Sequence, residues 1–277
     1  MGISPVIARL RHLEDRLLPH GILDVLRQVA LFAAAYWGYR LVRGAADGKA
    51  ADAFQNGRDL IALERGTHSF IEPSVQAWVS GKEWLIDFAS WMYVNSHFSI
   101  TLGALVFIYL FHNSSFYFIR NMFMVAMFLA LVGYFVFPTA PPRFYPEWGF
   151  TDSVSDFTGI PQDSVTVNAL FNPFAAVPSM HVAFALMLGW PLARLVKHRV
   201  FKVAWFLYPF LVTFVVVATG NHFWMDAFLG AMVAAVSAYV AKYVLARVRP
   251  TVWAFSPVRA GAAPRPPKRC RRSCATA

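Results

Sequence analysis

The stretch PSMHVAFALMLGWPLA, residues 178–193, places a short polar head before a long apolar run. From Val182 to Ala193 the run holds no charged residue, and with its flanks it approaches the roughly 20 residues that a helix needs to cross a bilayer. The whole chain is 57% hydrophobic and only 14% charged, which leaves too little polar surface to cover a soluble globule. We therefore predict an all-α integral membrane protein.

Six segments are apolar and long enough to span a membrane. They lie near residues 22–42, 95–112, 116–138, 178–196, 200–219 and 222–246. The sequence thus predicts a membrane domain over residues 22–249, with about six transmembrane helices in one bundle. The second span is the shortest, and a start within residues 84–98 would lengthen it.

The parts between and around these spans have a different character. Residues 43–90 are mixed in polarity and are expected to form short helices on the membrane surface, with Glu64, Glu72 and Lys82 solvating them. Residues 139–177 hold five prolines and several acids, which predicts a long ordered external loop. Residues 1–21 read as a cytoplasmic N-terminal segment without a convincing signal peptide.

The tail, residues 250–277, is rich in Pro, Arg and Ala and is predicted to be a disordered, basic, cytoplasmic segment. Its two cysteines, Cys270 and Cys274, lack further ligands nearby and are expected to be plain thiols. An anionic membrane face is a sufficient partner for its charge, because nothing nearby offers base-reading groups. We expect membrane lipids as partners and no nucleic acid; the sequence does not specify an oligomeric state.

Charges beside the spans predict the orientation. The connection at 194–202 carries four bases and no acid, so it belongs on the cytoplasmic side. The loop at 139–177 carries one base, Arg143, against four acids, so it belongs outside. His97, Arg143, His181 and His222 then all fall near the external face of a multi-pass protein of the plasma membrane.

The last span opens with ATGNHFWMDAFLG, residues 218–230. His222 and Asp226 are four residues apart, which on a helix puts both side chains on one face. The carboxylate can fix the imidazole tautomer and leave the other ring nitrogen as a nucleophile or base. The alternative is a wetted pair that caps or bridges helices at the interface.

The head of residues 178–193 is a second polar cluster. Pro178 suits the first turn of a helix, where free backbone amides can hold a phosphate. Ser179 adds a hydroxyl, and His181 can donate a proton to a leaving oxygen. Taken alone, His181 reads as readily as an interfacial histidine, but one helical hairpin separates it from His222 on the same predicted face.

The pair PSMH (178–181) and HFWMD (222–226) resembles the second and third signatures of the type 2 phosphatidic acid phosphatase superfamily. Within it, the chain is most similar to the branch of inositol phosphorylceramide synthases and their bacterial relatives. ERGTHSFIEPSVQ (64–76), YVNSHF (93–98) and FPTAPPRFY (137–145) also resemble that branch. The resemblance covers about residues 60–246.

The resemblance implies a metal-independent phosphatase or phosphotransferase without a cofactor. His222 would attack phosphorus to form a phosphohistidine, Asp226 would orient it, and His181 would protonate the departing alcohol. The substrate would be a phospholipid or a polyprenyl phosphate, and the branch favours head-group transfer of the inositol-phosphotransferase kind over simple hydrolysis. The sequence does not specify the lipid or the acceptor.

This chain also departs from the superfamily. Its phosphatases usually carry a Ser-Arg pair six or seven residues before the nucleophile, and here Val215 and Val216 stand there. Arg143 is the best replacement for that arginine, because a guanidinium can hold a phosphate oxygen bidentately; it could instead snorkel to the interface or pair with an acid of the loop. We place Ser179, Pro178 and His97 with it as candidate substrate-binding residues.

Two functions of other classes remain open from the residues alone. In a proton-coupled transporter or flippase, His181, His222 and Asp226 would form a proton relay. The second of these functions is a membrane scaffold that acts through its basic tail. Against the transporter, the polar residues gather at one interface, and no inverted repeat is evident.

Overall fold

The computed structural model describes residues 18, 20–46, 49–161 and 173–248. Over these residues the chain is helical and forms no strand, and Thr139 and Ala175 make an isolated bridge. The prediction of an all-α protein is therefore confirmed. Residues 1–17 and 249–277 lie outside the described residues, so the predictions for the N-terminal segment, the basic tail and the two cysteines keep that status.

Ten helices define the described fold. They are α1 Gly21–Ala46, α2 Ala50–Gly66, α3 Glu72–Ser80, α4 Glu83–Trp91, α5 His97–Phe111, α6 Asn113–Val136, α7 Ser153–Thr158, α8 Met180–Leu195, α9 Arg199–Ala218 and α10 Trp224–Tyr239. A π-helical segment, Met92–Ser96, joins α4 to α5, and a second one, Val240–Leu245, extends α10 toward a last short turn, Ala246–Val248.

Three of the described helices are long and apolar enough to cross a membrane: α6, α9 and α10 with its extension to Val248. The pair Glu83–Asn95 and His97–Phe111, bent by 50°, adds a fourth if it is one span. Helix α8 is apolar but shorter. The described bundle is thus a membrane-embedded one with three or four candidate spans, and six spans remain a prediction.

Helix α8 lies at the centre of the bundle and packs against α6, α9 and α10. Two glycines permit the closest approaches. A Cβ on Gly189 would lie 2.6 Å from the Trp205 carbonyl oxygen of α9, and one on Gly230 of α10 would lie 2.3 Å from the Ser179 carbonyl oxygen. Glycine at these positions lets the backbones touch, as is usual between membrane helices.

A polar network that is not predicted from the sequence holds the start of α1 against the rest of the bundle. Asp24 accepts hydrogen bonds from the hydroxyls of Tyr109 and Tyr117, at 3.0 Å and 2.7 Å. Gln28 accepts one from the buried guanidinium of Arg120 at 3.0 Å. Because buried polar groups need partners, this network fixes α1 against α5 and α6.

Candidate active site

His222 lies in the tight connection between α9 and α10. Helix α9 ends at Ala218, and Gly220 follows with φ +68°, a left-handed conformation that glycine adopts at little cost. The chain then turns back, so that the backbone N–H groups of Asn221 and His222 both donate to the Val216 carbonyl oxygen at 3.1 Å. The imidazole is thereby held on a rigid turn and is 5% exposed.

Asp226, in the first turn of α10, orients this imidazole. Its Oδ2 atom lies 3.3 Å from His222 Nδ1 and also accepts the Phe223 N–H at 2.9 Å. The carboxylate is fully buried, so it accepts hydrogen bonds only from the protein groups that contact it. This arrangement puts the ring proton of His222 on Nδ1 and leaves the Nε2 lone pair available.

His181, in the first turn of α8, faces that lone pair. Its Nδ1 atom lies 3.3 Å from His222 Nε2. A backbone hydrogen bond of 3.0 Å, from Ser179 N–H to the Asp226 carbonyl oxygen, joins the starts of α8 and α10. The two histidines that one helical hairpin separates in the sequence are therefore neighbours at the same end of the bundle.

The ring of His181 is held by residues around the π-helical segment. Tyr93 stacks on it with ring centroids 4.8 Å apart, and His97 packs on it at 4.5 Å. The His97 ring is in turn parallel to that of Phe184 at 5.9 Å. Since π-helical turns are frequent at functional sites, the position of this one beside His181 supports the assignment of the site.

Arg143 reaches the same turn from the loop after α6. Its backbone N–H donates to the Gly220 carbonyl oxygen at 2.9 Å, and its guanidinium donates to the Asn221 side-chain oxygen. The loop is clamped onto α2, where Asn56 donates to the Pro138 carbonyl oxygen at 2.8 Å. The guanidinium is also 3.9 Å from a carboxylate oxygen of Asp152.

The surroundings of His222 keep it neutral. Burial lowers the pKa of His222 to about 3; the Ala176 carbonyl, which favours the protonated ring, opposes this shift, and the nearby charge of Arg143 adds to it. A histidine that is neutral at pH 7 carries the lone pair that a nucleophile needs.

The head of α8 differs from the expectation in one respect. Helix α8 begins at Met180 with Ser179 as its N-cap, so Pro178 precedes the helix and is not in its first turn. The ring of Pro178 packs against Gly133, and its carbonyl oxygen accepts from the Tyr134 hydroxyl at 3.2 Å. Ser179 Oγ is buried and has no hydrogen-bond partner among the described residues, which suits a ligand oxygen.

A small cleft, with room for about one water molecule, lies beside His181. Its walls come from α9 and from the chain between α4 and α5, and most of them are apolar. They are formed by Met92, Tyr93, His97, His181, Tyr208, Val212, Val215 and Val216. Val215 and Val216, which stand where the resemblance leads one to expect a Ser-Arg pair, therefore give this cleft an apolar wall.

The expectation that Glu64 and Glu72 solvate a surface helix is wrong, because both side chains are fully buried. Glu64 accepts the Met225 N–H at 2.9 Å, and Glu72 accepts the Trp224 N–H at 2.7 Å. The buried residues of α2 follow helical spacing, and Glu64 is the last of them. The burial of Glu64 could have been predicted from that helical spacing and from the resemblance of residues 64–76.

Among the residues that the structure describes, no group of three or more His, Cys, Asp or Glu is arranged to hold a metal ion. Four residues are predicted from the sequence to bind the substrate. The structure brings Arg143, Ser179 and His97 around His181 and His222, and it leaves Pro178 in a packing position.

The chain matches the PAP2 superfamily over residues 58–240, which is more than half of its length. It belongs to the PAP2 superfamily, and this membership supports a function of the lipid-phosphatase type. No curated protein and no solved structure matches the chain.

Proposed function

We propose that this protein is a membrane enzyme that moves a phosphate or a phosphate-linked head group from a lipid through a phosphohistidine on His222. The observation that carries the proposal is the row of three side chains from Asp226 through His222 to His181, with 3.3 Å at each contact. The row joins an orienting acid, a neutral imidazole and a proton-carrying imidazole.

In the first half-reaction, the Nε2 lone pair of His222 attacks phosphorus and forms an N–P bond. The P–O bond to the lipid alcohol breaks, and its electron pair stays on the oxygen. His181 enters this step protonated on both ring nitrogens, a form favoured by the negative phosphate beside it, and gives its Nδ1 proton to that oxygen. Asp226 stabilises the positive charge that develops on His222.

In the second half-reaction, the oxygen of water or of another alcohol attacks phosphorus. His181, now neutral, takes the proton of the incoming O–H. The N–P bond breaks, and its electron pair returns to His222 Nε2. Both half-reactions use the same three residues, so the nature of the acceptor alone decides between hydrolysis and head-group transfer.

The phosphate group would be held by Arg143 and Ser179. Arg143 is fixed beside the nucleophile by Asn221 and by the Gly220 carbonyl, so its guanidinium carries a positive charge at the turn. This contact replaces the arginine that is missing at Val216. The unpartnered Ser179 hydroxyl, buried under the start of α8, supplies a donor from the other side.

We favour head-group transfer, of the inositol-phosphotransferase kind, over simple hydrolysis. The support is the resemblance of residues 64–76, 93–98 and 137–145 to the inositol phosphorylceramide synthase branch, together with the apolar wall that Val215 and Val216 give to the small cleft beside His181. The lipid would be a phospholipid or a polyprenyl phosphate. No metal ion or cofactor takes part in the proposed steps.

The site would face the outside of the plasma membrane. Helix α8 carries His181 at its start and the basic connection 194–202 beyond its end, so the two lie at opposite ends of the helix. Because basic connections stay in the cytoplasm, the histidines would be extracytoplasmic and the tail cytoplasmic.

The test uses purified full-length protein with a panel of phosphatidic acid, phosphatidylinositol and a polyprenyl phosphate, with and without inositol, and mass spectrometry of the products. We expect His222→Ala to abolish turnover, because the proposed transfer passes through a phosphohistidine on that residue. His198→Ala is the matched control, since His198 is exposed in the connection before α9.

Trapping a labelled phosphate or head group on the wild-type protein identifies the bond that was broken. The proposal fails if His222→Ala, folded as judged by chromatography and thermal unfolding, turns over lipid as fast as the wild type. Loss of proton-driven flux in that variant, without lipid turnover by the wild type, would favour the transporter instead.

A further inference from the structure

The first turn of α10 is held by three carboxyl groups from three different helices. The backbone N–H of Phe223 donates to Asp226, that of Trp224 donates to Glu72 of α3, and that of Met225 donates to Glu64 of α2. The first backbone N–H groups of a helix have no partner within the helix. Here the N–H groups that directly follow His222 all receive acidic acceptors.

Glu64 and Glu72 each use one carboxyl oxygen for this bond. Their other oxygens, Oε2 in both, are buried and have no hydrogen-bond partner among the described residues, and both side chains are 0% exposed. Burial raises the pKa of Glu64 to about 9, and the adjacent carboxyl of Glu72 adds to the shift. Two ionised carboxylates side by side in such a place are strongly disfavoured.

We propose that Glu64 and Glu72 share one proton between their Oε2 atoms and act together as positioning residues that fix the turn carrying His222. The proton gives each orphaned oxygen a partner, and it leaves one negative charge at the positive end of α10. The proposal rests on the proposed function, because its consequence is the aim of His222 Nε2 at phosphorus.

Few charged groups face this pair. Glu72 approaches Glu64 from α3, and Asp226 adds a further acidic group from α10. Arg65 is the next residue in the chain, but its guanidinium lies over the Trp148 ring at 4.8 Å. Within the described residues, it is therefore a proton that can neutralise one of the two carboxyl groups.

Amide substitutions separate a shared proton from a merely structural contact. In Glu64→Gln, the amide oxygen can still accept the Met225 N–H, and the amide NH₂ can donate to Glu72 Oε2. In Glu72→Gln, the amide oxygen can still accept the Trp224 N–H, and the amide NH₂ can donate to Glu64 Oε2. In the double variant, two NH₂ groups face each other and neither has an acceptor there. In Glu64→Ala, the Met225 N–H is left buried without a partner.

We expect each single Gln variant to keep most of the wild-type kcat on dioctanoyl phosphatidic acid in mixed micelles. The double Gln variant and Glu64→Ala should lose about 10-fold to 10²-fold in kcat with little change in KM, as when a reacting group is misplaced. Wild-type kcat should fall above about pH 9, where the pair loses its proton, and Glu64→Gln should lack that alkaline limb.

The proposal is overturned if Glu64→Gln is as impaired as Glu64→Ala, or if its alkaline limb matches that of the wild type. If the wild-type protein turns over no lipid phosphate, the proposed function fails while the shared proton is still tested by thermal unfolding against pH. The folded-state pKa of Glu64 is raised, so wild-type stability should decline as pH rises from about 4.5 to about 9. Glu64→Gln should flatten that decline, and an unchanged slope would refute the shared proton.

Discussion

His222 Nε2 and His181 Nδ1 face each other at 3.3 Å, with no atom of the chain between them. In the proposed reaction these nitrogens act on opposite sides of one phosphorus atom, which must bond to Nε2 while its leaving oxygen contacts Nδ1. That row of atoms needs more than 3.3 Å. The two imidazoles must therefore separate when a phosphate enters.

His181→Ala should show whether His181 protonates the leaving alcohol. For a dialkyl lipid phosphate, we expect kcat to fall about 10²-fold to 10⁴-fold, the usual contribution of a positioned general acid. For an aryl phosphate such as p-nitrophenyl phosphate, the leaving oxygen needs no proton, so the loss in the first half-reaction should be much smaller. Burst kinetics on the two substrates measures this. Equal losses on both would contradict the role.

Asp226→Asn should leave the fold intact and remove most of the activity. Oδ2 faces both the Phe223 N–H and His222 Nδ1, so an amide oxygen in that position keeps both contacts but carries no negative charge to stabilise the imidazolium. An amide NH₂ in that position would instead donate to His222 Nδ1 and leave the Phe223 N–H without its acceptor. In either orientation we expect kcat to fall about 10³-fold to 10⁴-fold. Nitrogen-15 chemical shifts of the imidazole report which orientation the amide takes, and a kcat close to that of the wild type would contradict the role of Asp226.

Arg143→Ala should weaken phosphate binding more than it slows chemistry on saturating substrate. Its guanidinium is fixed beside His222 by Asn221, and Arg143→Lys retains the charge but not the forked donor geometry. We expect a higher KM in both variants and weaker inhibition by inorganic phosphate, with the larger effect in Ala. Arg199→Ala, at the far end of α9, is the control. Unchanged phosphate inhibition in Arg143→Ala would exclude the contact.

Gly230→Ala should disturb the site through packing alone. Its Cβ would lie 2.3 Å from the Ser179 carbonyl oxygen, so α8 and α10 must move apart. Such overpacking typically costs about 1–3 kcal/mol, which thermal unfolding can detect. Gly103→Ala in α5 is the matched control, because nothing lies within 4 Å of the added atom. Equal melting temperatures for the two variants would refute the close approach.

The pH dependence of stability should reveal the buried imidazole. The pKa of His222 is about 3 in the folded protein, below its ordinary value of 6.5. The unfolded chain therefore binds the extra proton between these values, and stability should fall as pH drops from about 6.5 toward 3. Unfolding curves of the wild type and His222→Asn measure this. The slope over that window should be shallower in the variant.

The catalytic candidates could be predicted because their relationship is local. His222 and Asp226 are four residues apart, and the expected contact is present although His222 lies in the turn before α10 and not on the helix itself. Placing His181 beside them required one further inference: α9 returns antiparallel to α8, so α8 and α10 start at the same end of the bundle. The structure adds what the spacing does not give, namely that His181 and His222 contact each other directly.

Glu64 and Glu72 could not be predicted in the same way, because their partners are backbone N–H groups. A backbone donor carries no sequence signature, because any residue except proline at position 224 or 225 would offer the same N–H group. Charge alone favoured a solvated position, since unpaired carboxylates are rarely buried. The polar network around Asp24 escaped prediction for a related reason, as it joins side chains from three separate helices.

The hydrogen bonds from Trp224 to Glu72 and from Met225 to Glu64 join residues that are 152 and 161 positions apart. During synthesis, α2 and α3 are made long before α10 exists, and both carboxylates can then remain ionised in water. Only the arrival of the last span gives them N–H donors and removes them from water. If His222 is the nucleophile that we propose, it is thus set in place only at the end of membrane insertion, and an incomplete chain would hold no site able to attack the lipids around it.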